Sequence, residues 1–287
     1  MTFSVLARDE RTGALGVASQ SKFLAIGAVV PSAAADTGAI ATQALANGSF
    51  GPRGLRLLAG GSSATETLSA LLAEDERSDR RQVGIIDSTG MGAAHTGGGC
   101  TGWAGHLVGD GFVCVGNMLA GQGVLQAMAD SLATTSAEPN LGVRLVTALQ
   151  QAADAGGDAR GQQSAAVVVV QHEGGYGGHT DRWIDLRVDD HPQPISELRR
   201  LLSLHRLYFE RPDPDSLLEL NGDLADEVAN ALNRLDPLIG ASDNLQALWQ
   251  SLDGWAGREN LEERMILPGW IDPVVLSMLR ERSIAAQ

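Results

Sequence analysis

Glycine is distributed very unevenly along this chain, and the unevenness divides the sequence into two segments. Of the 35 glycines, 30 lie in residues 1–207 and only five in residues 208–287. The second segment instead has 15 acidic and 6 basic residues and three of the five tryptophans. Between them, Arg211-Pro-Asp-Pro-Asp215 is typical of a linker or a helix start. We therefore predict two domains, 1–207 and 208–287.

Apolar runs in the first segment predict strands and helices in an ordered succession. Strands are expected at 2–7, 14–19, 26–30, 38–44, 82–87, 91–95, 103–108, 111–117, 163–171 and 182–188. Helices are expected after Pro52, after the Ser63/Glu66 capping box, and at about 121–133, 139–155 and 194–207. This order predicts an α+β fold in which two packed sheets lie between helical layers. Residues 216–283 show only helical signals, so the second domain is expected to be small and all-helical.

Charge and composition exclude several classes of protein. The 21 basic and 35 acidic residues give a net charge of −14, which disfavours nucleic acid and anionic membranes as partners. No apolar run approaches 18 residues, and the N-terminus does not resemble a signal peptide. Two cysteines, Cys100 and Cys114, form neither a disulfide framework nor a zinc spacing. We expect a soluble cytoplasmic protein.

Thr2 is the most informative candidate for chemistry. Removal of Met1 would leave a threonine at the head of a strand, with a hydroxyl nucleophile and a free α-amine of pKa about 8 as its own base. Many proteins begin Met-Thr for reasons of initiation, so a non-catalytic Thr2 is the alternative. Lys22, the only lysine beside 20 arginines, lies just past the expected hairpin. Its ammonium is expected near Thr2, where it would lower the pKa of the amine or hold a substrate carboxylate, unless it is simply a solvated strand-end lysine.

Three glycine-rich stretches offer further candidates. In Thr42–Pro52, the backbone amides of Asn47 and Gly48, or the side chain of Asn47, are suited to stabilising an oxyanion, and a helix cap with a glycine turn is the alternative. In His95–His106, two histidines and a cysteine suggest a metal site, but glycines serving hairpin turns explain the stretch better. Asn117, at a strand-to-helix junction, is expected to line a pocket or to cap the helix.

Several motifs together resemble the domain of unknown function 1028 family over about residues 1–207. They are Thr2-Phe-Ser-Val-Leu-Ala-Arg-Asp9, Ser21-Lys-Phe-Leu-Ala-Ile-Gly27, Ala41-Thr-Gln43 with Asn47, Gly51-Pro-Arg-Gly-Leu55, Trp103-Ala-Gly-His106, Gly116-Asn117 with Leu119-Ala-Gly121, and Asp185-Leu-Arg-Val-Asp-Asp-His-Pro192. The family resembles a branch of the N-terminal nucleophile (Ntn) hydrolases, which are four-layer αββα proteins.

The resemblance implies specific roles for residues of this chain. It implies that Thr2 is the nucleophile and that Asn47 and Gly48 form the oxyanion hole. Lys22, Gln43, His106 and Asn117 are implied as pocket residues. The segment at about 208–283 is similar to a small domain described as peptidoglycan-binding, although an acidic helical segment of a cytoplasmic protein fits an interface or lid role equally well.

The leading hypothesis is an amidohydrolase for a small linear amide or a ureido or carbamoyl acid. Lys22 or Arg53 would bind the acid group of such a substrate. We expect a homo-oligomer that needs no cofactor or metal. One alternative is a non-catalytic binding or scaffold protein with the same fold. The other is a metal-dependent hydrolase that uses His95 and His106.

Overall fold

The protein is described by a computed structural model that covers residues 2–236 and 244–285. The predicted removal of Met1 lies outside these residues. The chain forms two compact units, Met1–Leu202 and Ser203–Gln287, and the boundary falls within a single helix, Pro194–Phe209.

The first unit mixes strands and helices, which confirms the α+β class. Its strands are β1 Thr2–Arg8, β2 Leu15–Ser21, β3 Pro31–Ala34, β4 Gly38–Ala44, β5 Arg81–Asp87, β6 Gly92–Thr96, β7 Trp103–Gly109, β8 Phe112–Leu119, β9 Ser164–Val170 and β10 Arg182–Val188. Its helices are α1 Phe50–Ala59, α2 Ala64–Ala73, α3 Gly123–Thr134, α4 Leu141–Asp154 and α5 Pro194–Phe209. The predicted capping box of Ser63 and Glu66 is present at the start of α2.

The strands form two antiparallel sheets. One has six strands in the order β10-β9-β2-β1-β8-β7, and the other has four in the order β3-β4-β5-β6. The predicted hairpin of β1 and β2 is confirmed, with Thr2 opposite Ser21. Because β8 pairs with the other edge of β1, the first strand of the chain lies in the interior of the larger sheet.

Alternation along β1 shows how the layers pack. Phe3, Val5 and Ala7 are buried in one cluster with residues of α3 and α4, whereas Leu6 is buried in another cluster with residues of both sheets. A third cluster joins the smaller sheet to α1 and α2. Successive strand residues point to opposite faces, so β1 separates a helical layer from the space between the sheets. At Gly84 of β5, an added Cβ would lie 3.0 Å from Leu6 and 3.2 Å from Val113, so a glycine permits this close approach.

The predicted strand at 26–30 is wrong. Residues Ile26–Ala28 form a 3₁₀ turn, and β3 begins only at Pro31. Ala25 has a left-handed backbone (φ 52°), and the amide of Ile26 donates to Ser164 Oγ at 3.0 Å. A Cβ at Gly27 would lie 2.6 Å from Ala166. Ile26 and Gly27 are therefore buried by packing on β9 rather than by pairing in a ladder, whereas Ala28 and Val29 are exposed.

The second unit is mainly helical, with α6 Gly222–Leu235, α7 Leu245–Arg258 and α8 Pro273–Ala285. The all-helical prediction needs one correction, since β11 Leu218–Glu219 and β12 Trp270–Ile271 pair as a short antiparallel ladder. A two-residue strand is too short to leave a period-2 pattern in the sequence. Within the described ranges, no helix is long and apolar enough to cross a membrane.

Candidate functional site

Thr2 lies where polar residues replace apolar ones on the inner face of the larger sheet. It is opposite Ser21 on β2 and Asn117 on β8, and its side chain is almost fully buried. The Thr2 hydroxyl lies 3.1 Å from the hydroxyl of Ser21. One step further along the same face, the Ser4 and Ser19 hydroxyls are 2.8 Å apart. This end of the intersheet space is therefore polar, unlike the part around Leu6.

Two glutamines of the smaller sheet complete a buried network with these residues. Gln43 Nε2 donates to the main-chain oxygen of Thr2 at 3.1 Å and to Gln82 Oε1 at 2.8 Å. Ser4 Oγ donates to Gln43 Oε1 at 2.6 Å, and Asn117 Nδ2 donates to Gln82 Oε1 at 2.9 Å. Both glutamines are essentially inaccessible. The network thus holds the first residue of β1 against the opposite sheet.

The Gln82 amide extends the network toward the edge of the larger sheet. Its Nε2 lies within hydrogen-bond distance of Thr96 Oγ1 at 3.0 Å and of the Gly105 and Gly116 main-chain oxygens at 3.0 and 2.7 Å. Thr96 Oγ1 is in turn 2.9 Å from His106 Nδ1. Partial desolvation of the ring, and next the charge of His95, lower the pKa of His106 below its ordinary value. His106 is exposed, and side chains connect it to the main chain of Thr2.

A cleft of about 190 Å³ opens beside Asn117. Its lining comprises Ala44, Leu45, Arg80, Gly99, Cys100, Thr101, Asn117 and Met118. Two lining residues, Ala44 and Met118, have left-handed backbones with φ of 66° and 52°. Such strain in residues with side chains is costly and tends to occur at functional sites. Thr2 does not line the cleft, but it pairs in the sheet with Asn117, which lines it.

Cys100 is a poor nucleophile for this cleft. Burial is the largest effect on the thiol and raises its pKa, and the charge of Asp79 acts in the same direction. A thiol with a raised pKa forms little of the reactive thiolate at neutral pH. The described residues include no cluster of three or more His, Cys, Asp or Glu side chains that is suited to a metal ion.

The structure directs Lys22 away from Thr2. The Lys22 side chain is exposed, and its ammonium donates to the main-chain oxygen of Gln162 at 3.3 Å. Gln162 precedes β9, which pairs with the edge of β2 opposite to β1. The hairpin brings the backbones of Thr2 and Ser21 together as expected, but the long side chain of Lys22 extends toward β9. The expected contact with the Thr2 amine is not among the hydrogen bonds of the described chain.

The side chain of Asn47, at the junction of β4 and α1, is hydrogen-bonded to one partner of an ion pair. Its Nδ2 donates to Asp75 at 3.1 Å, and its main-chain amide donates to Thr42 Oγ1 at 3.4 Å. Asp75 is also paired with Arg81 at 2.8 Å. These bonds explain Asn47 as a support for the loop rather than as an oxyanion donor. Gly48 beside it is exposed and has no bond to Thr2 in the described structure.

Other predicted pocket residues also take different roles. Gln43 contacts Thr2, but its burial makes it a positioning residue rather than a substrate ligand. Arg53 pairs with Glu74, the residue that follows α2. Asn117 does line the cleft. Gln82 and Arg80 are not predicted from the sequence, in which the only sign of Gln82 is a polar residue inside an apolar strand.

Comparisons with known proteins place the chain among relatives of unknown function. The model of the "Family of unknown function (DUF1028)" matches residues 2–198, and that of a "Putative peptidoglycan binding domain" matches residues 208–279. A crystal structure from Silicibacter pomeroyi, described by the same family, is 28% identical with a TM-score of 0.64, covering 79% of this chain and 92% of that one. The Anbu (ancestral beta-subunit) protein of Yersinia bercovieri is 12% identical with a TM-score of 0.33, covering 74% and 98%, which is too weak for any argument. The comparison with curated proteins finds no match.

Proposed function

Since the chain belongs to the DUF1028 family of unknown function, we propose from its own geometry that it is an amidohydrolase of the N-terminal nucleophile type. The observation that carries the proposal is the position of Thr2. It is the first residue of an interior strand, its hydroxyl lies in the polar end of the intersheet space, and its neighbour Asn117 lines a cleft. The packing of two sheets between helices supports an αββα fold of the Ntn type.

The proposed reaction begins when removal of Met1 frees the α-amine of Thr2. The amine takes the proton of Thr2 Oγ as this oxygen attacks the substrate carbonyl, so that a C–O bond forms. Collapse of the tetrahedral adduct breaks the C–N bond, and the amine returns the proton to the departing nitrogen. Water then hydrolyses the ester, releasing the acid and restoring the hydroxyl.

Asn117 is our candidate for stabilising the oxyanion. One Nδ2–H bond is given to Gln82, which fixes the orientation of the amide, and Asn117 both lines the cleft and pairs with Thr2. A donor that is oriented before the reaction stabilises developing charge without reorganisation. Asn117 takes the role that the sequence analysis expected of Asn47 and Gly48.

The substrate we propose is a small linear amide, or a ureido or carbamoyl acid. A cleft of about 190 Å³ is smaller than the pockets that hold drug-sized ligands. Arg80 lines the cleft, and no carboxylate of the described residues lies within ion-pair distance of it. A guanidinium group without a carboxylate partner can bind the carboxylate of an acidic substrate. We propose Arg80 for the role that was expected of Lys22 or Arg53.

The test compares Thr2→Ala, Thr2→Ser and wild type on a panel of N-carbamoyl amino acids, ureido acids and linear amides, with release of ammonia or amine as the readout. We expect Thr2→Ala to lose at least about 1,000-fold in kcat, because no other residue supplies the oxygen nucleophile. Thr2→Ser keeps the hydroxyl and should retain measurable turnover. Thr12→Ala removes a hydroxyl from the far turn of the hairpin and serves as the matched control.

The near-complete burial of the Thr2 side chain favours one alternative, a binding or scaffold protein in which this hydroxyl is structural. In that case Thr2→Ala would lose stability but no turnover. Equal turnover by Thr2→Ala and wild type would decide for the alternative.

A further inference from the structure

Each of the two sheets in the first unit has two edge strands, and one edge of each sheet is protected against pairing with another chain. The protected edge of the larger sheet is β10, where Asp185 forms ion pairs with Arg182 and Arg187. The protected edge of the smaller sheet is β3, which has only four residues and begins with Pro31. Charges, proline and short length commonly keep an edge strand from binding another strand. These two edges are therefore poorly suited to a partner chain.

The opposite edges, β7 of the larger sheet and β6 of the smaller one, lack this protection. Residues 91–109, which span both strands, contain no Asp, Glu, Lys, Arg or Pro. Apart from the ladder with β8 and the bond that Gly105 accepts from Gln82, the main chain of β7 has no hydrogen bond within the described residues. The outward donors and acceptors of this seven-residue strand are therefore open to another strand.

The two unprotected edges lie side by side and form one surface, which we call the open edge face. Thr96 Oγ1 of β6 is 2.9 Å from His106 Nδ1 of β7. A Cβ added to Gly92 of β6 would lie 3.0 Å from Val108 of β7. Two large apolar side chains of β7, Trp103 and Val108, expose 37% and 47% of their surface. The face thus combines free main-chain groups with exposed apolar side chains, as strand edges that bind other strands do.

The charge of the chain identifies a second copy as the partner that fits this face. Two chains of net charge −14 repel each other, and they repel least where they meet through strands that carry no charged side chains. A two-fold axis perpendicular to the sheet places two copies of β7 antiparallel, so that each supplies the donors and acceptors that the other needs. We propose that the chain forms a homodimer through the open edge face, with β7 paired to β7 of the second copy. This inference is independent of the chemistry proposed for Thr2.

The proposal is tested by light scattering of the full chain after size exclusion, which should give twice the mass of one chain for wild type. Val108→Lys adds a charge to the face in both copies, and we expect it to weaken the dimer at least about 100-fold, because the contact brings like charges together away from water. Val29→Lys is the matched control, since Val29 is an exposed valine outside β6 and β7, and this variant should remain a dimer.

Hydrogen exchange of wild type keeps the test valid if Val108→Lys fails to fold. A peptide that covers β7 should exchange more slowly in the dimer than in the monomer obtained by dilution, because pairing occupies its outward amides. A peptide from β10, the other edge of the same sheet, is the internal control and should exchange equally in both states. A wild type that is monomeric at about 100 μM would overturn the proposal. A dimer that Val108→Lys leaves intact, that Val29→Lys dissociates, or in which β7 is no better protected than in the monomer would also overturn it.

Discussion

Replacing Gln82 by methionine tests whether the buried amide network fastens the two sheets together. The substitution keeps the approximate length of an unbranched side chain but removes every polar atom. Gln82 accepts hydrogen bonds from Gln43 and Asn117, and its two amide protons are shared among Thr96 and the main-chain oxygens of Gly105 and Gly116. Two accepted and two donated hydrogen bonds are thus lost, each worth about 1 kcal/mol net. We expect the free energy of unfolding of the first unit to fall by about 4 kcal/mol.

The assay must report on the first unit alone, because a chain with two units need not unfold in one step. Hydrogen exchange across a urea series, followed by mass spectrometry of peptides from β1 and β8, gives the unfolding transition of the larger sheet. Gln126→Met is the control, since the exposed side chain of Gln126 donates a hydrogen bond to Asp130 on the surface of α3, and its loss should change stability by less than about 0.5 kcal/mol. If Gln82→Met and Gln126→Met unfolded at the same urea concentration, the network would not have the role assigned to it.

Three further predictions concern separate parts of the first unit. The hydrogen bond and charge of Arg81 hold the pKa of Asp75 far below its ordinary 3.8, so Asp75→Asn should destabilise by about 2–3 kcal/mol at neutral pH. This difference in stability from wild type should persist at every pH above about 4. It should disappear as the pH falls through the lowered pKa, where wild-type Asp75 also becomes neutral. Denaturation midpoints at a series of pH values measure the difference, and a difference independent of pH would refute the ion pair as its cause. The pKa of His106 should lie below 6.5 in an NMR titration, because partial desolvation and the charge of His95 both lower it, and a midpoint at or above 6.5 would refute these two effects. Gly84→Val should destabilise by about 1–3 kcal/mol in thermal or urea unfolding, because its side chain would overlap Leu6 and Val113 between the sheets, and wild-type stability would show that the sheets are further apart.

The sequence predicts those parts of the fold that depend on local chemistry. The hairpin of β1 and β2 follows from two apolar runs around a turn, and the start of α2 follows from the capping box of Ser63 and Glu66. The strand predicted at 26–30 is a turn instead, because Ile26 and Gly27 are buried by contacts with β9, which is far away in the sequence. Tertiary packing of this kind leaves no local periodicity.

The candidate site was predictable only where it depends on local chemistry. The pairing of Thr2 with Ser21 is a consequence of the hairpin, and Gln43 does contact Thr2. Lys22 donates a hydrogen bond to Gln162, and Asn47 donates one to Asp75. These bonds depend on side-chain contacts that the spacing of residues in the sequence does not predict. Gln82 belongs to the site only because the second sheet lies opposite Thr2, and Arg80 only because its turn borders the cleft.

The most direct measurement of the central claim is mass spectrometry of the N-terminal peptide after brief exposure to an acylating ester such as p-nitrophenyl acetate and an acid quench. The proposal predicts a peptide that begins at Thr2 and carries one acetyl group, which hydroxylamine removes because an ester is cleaved and an amide is not. The acetyl group should be absent from Thr2→Ala. A wild-type peptide that retains Met1, or that begins at Thr2 and stays unmodified while the ester is hydrolysed, would contradict Thr2 as the nucleophile.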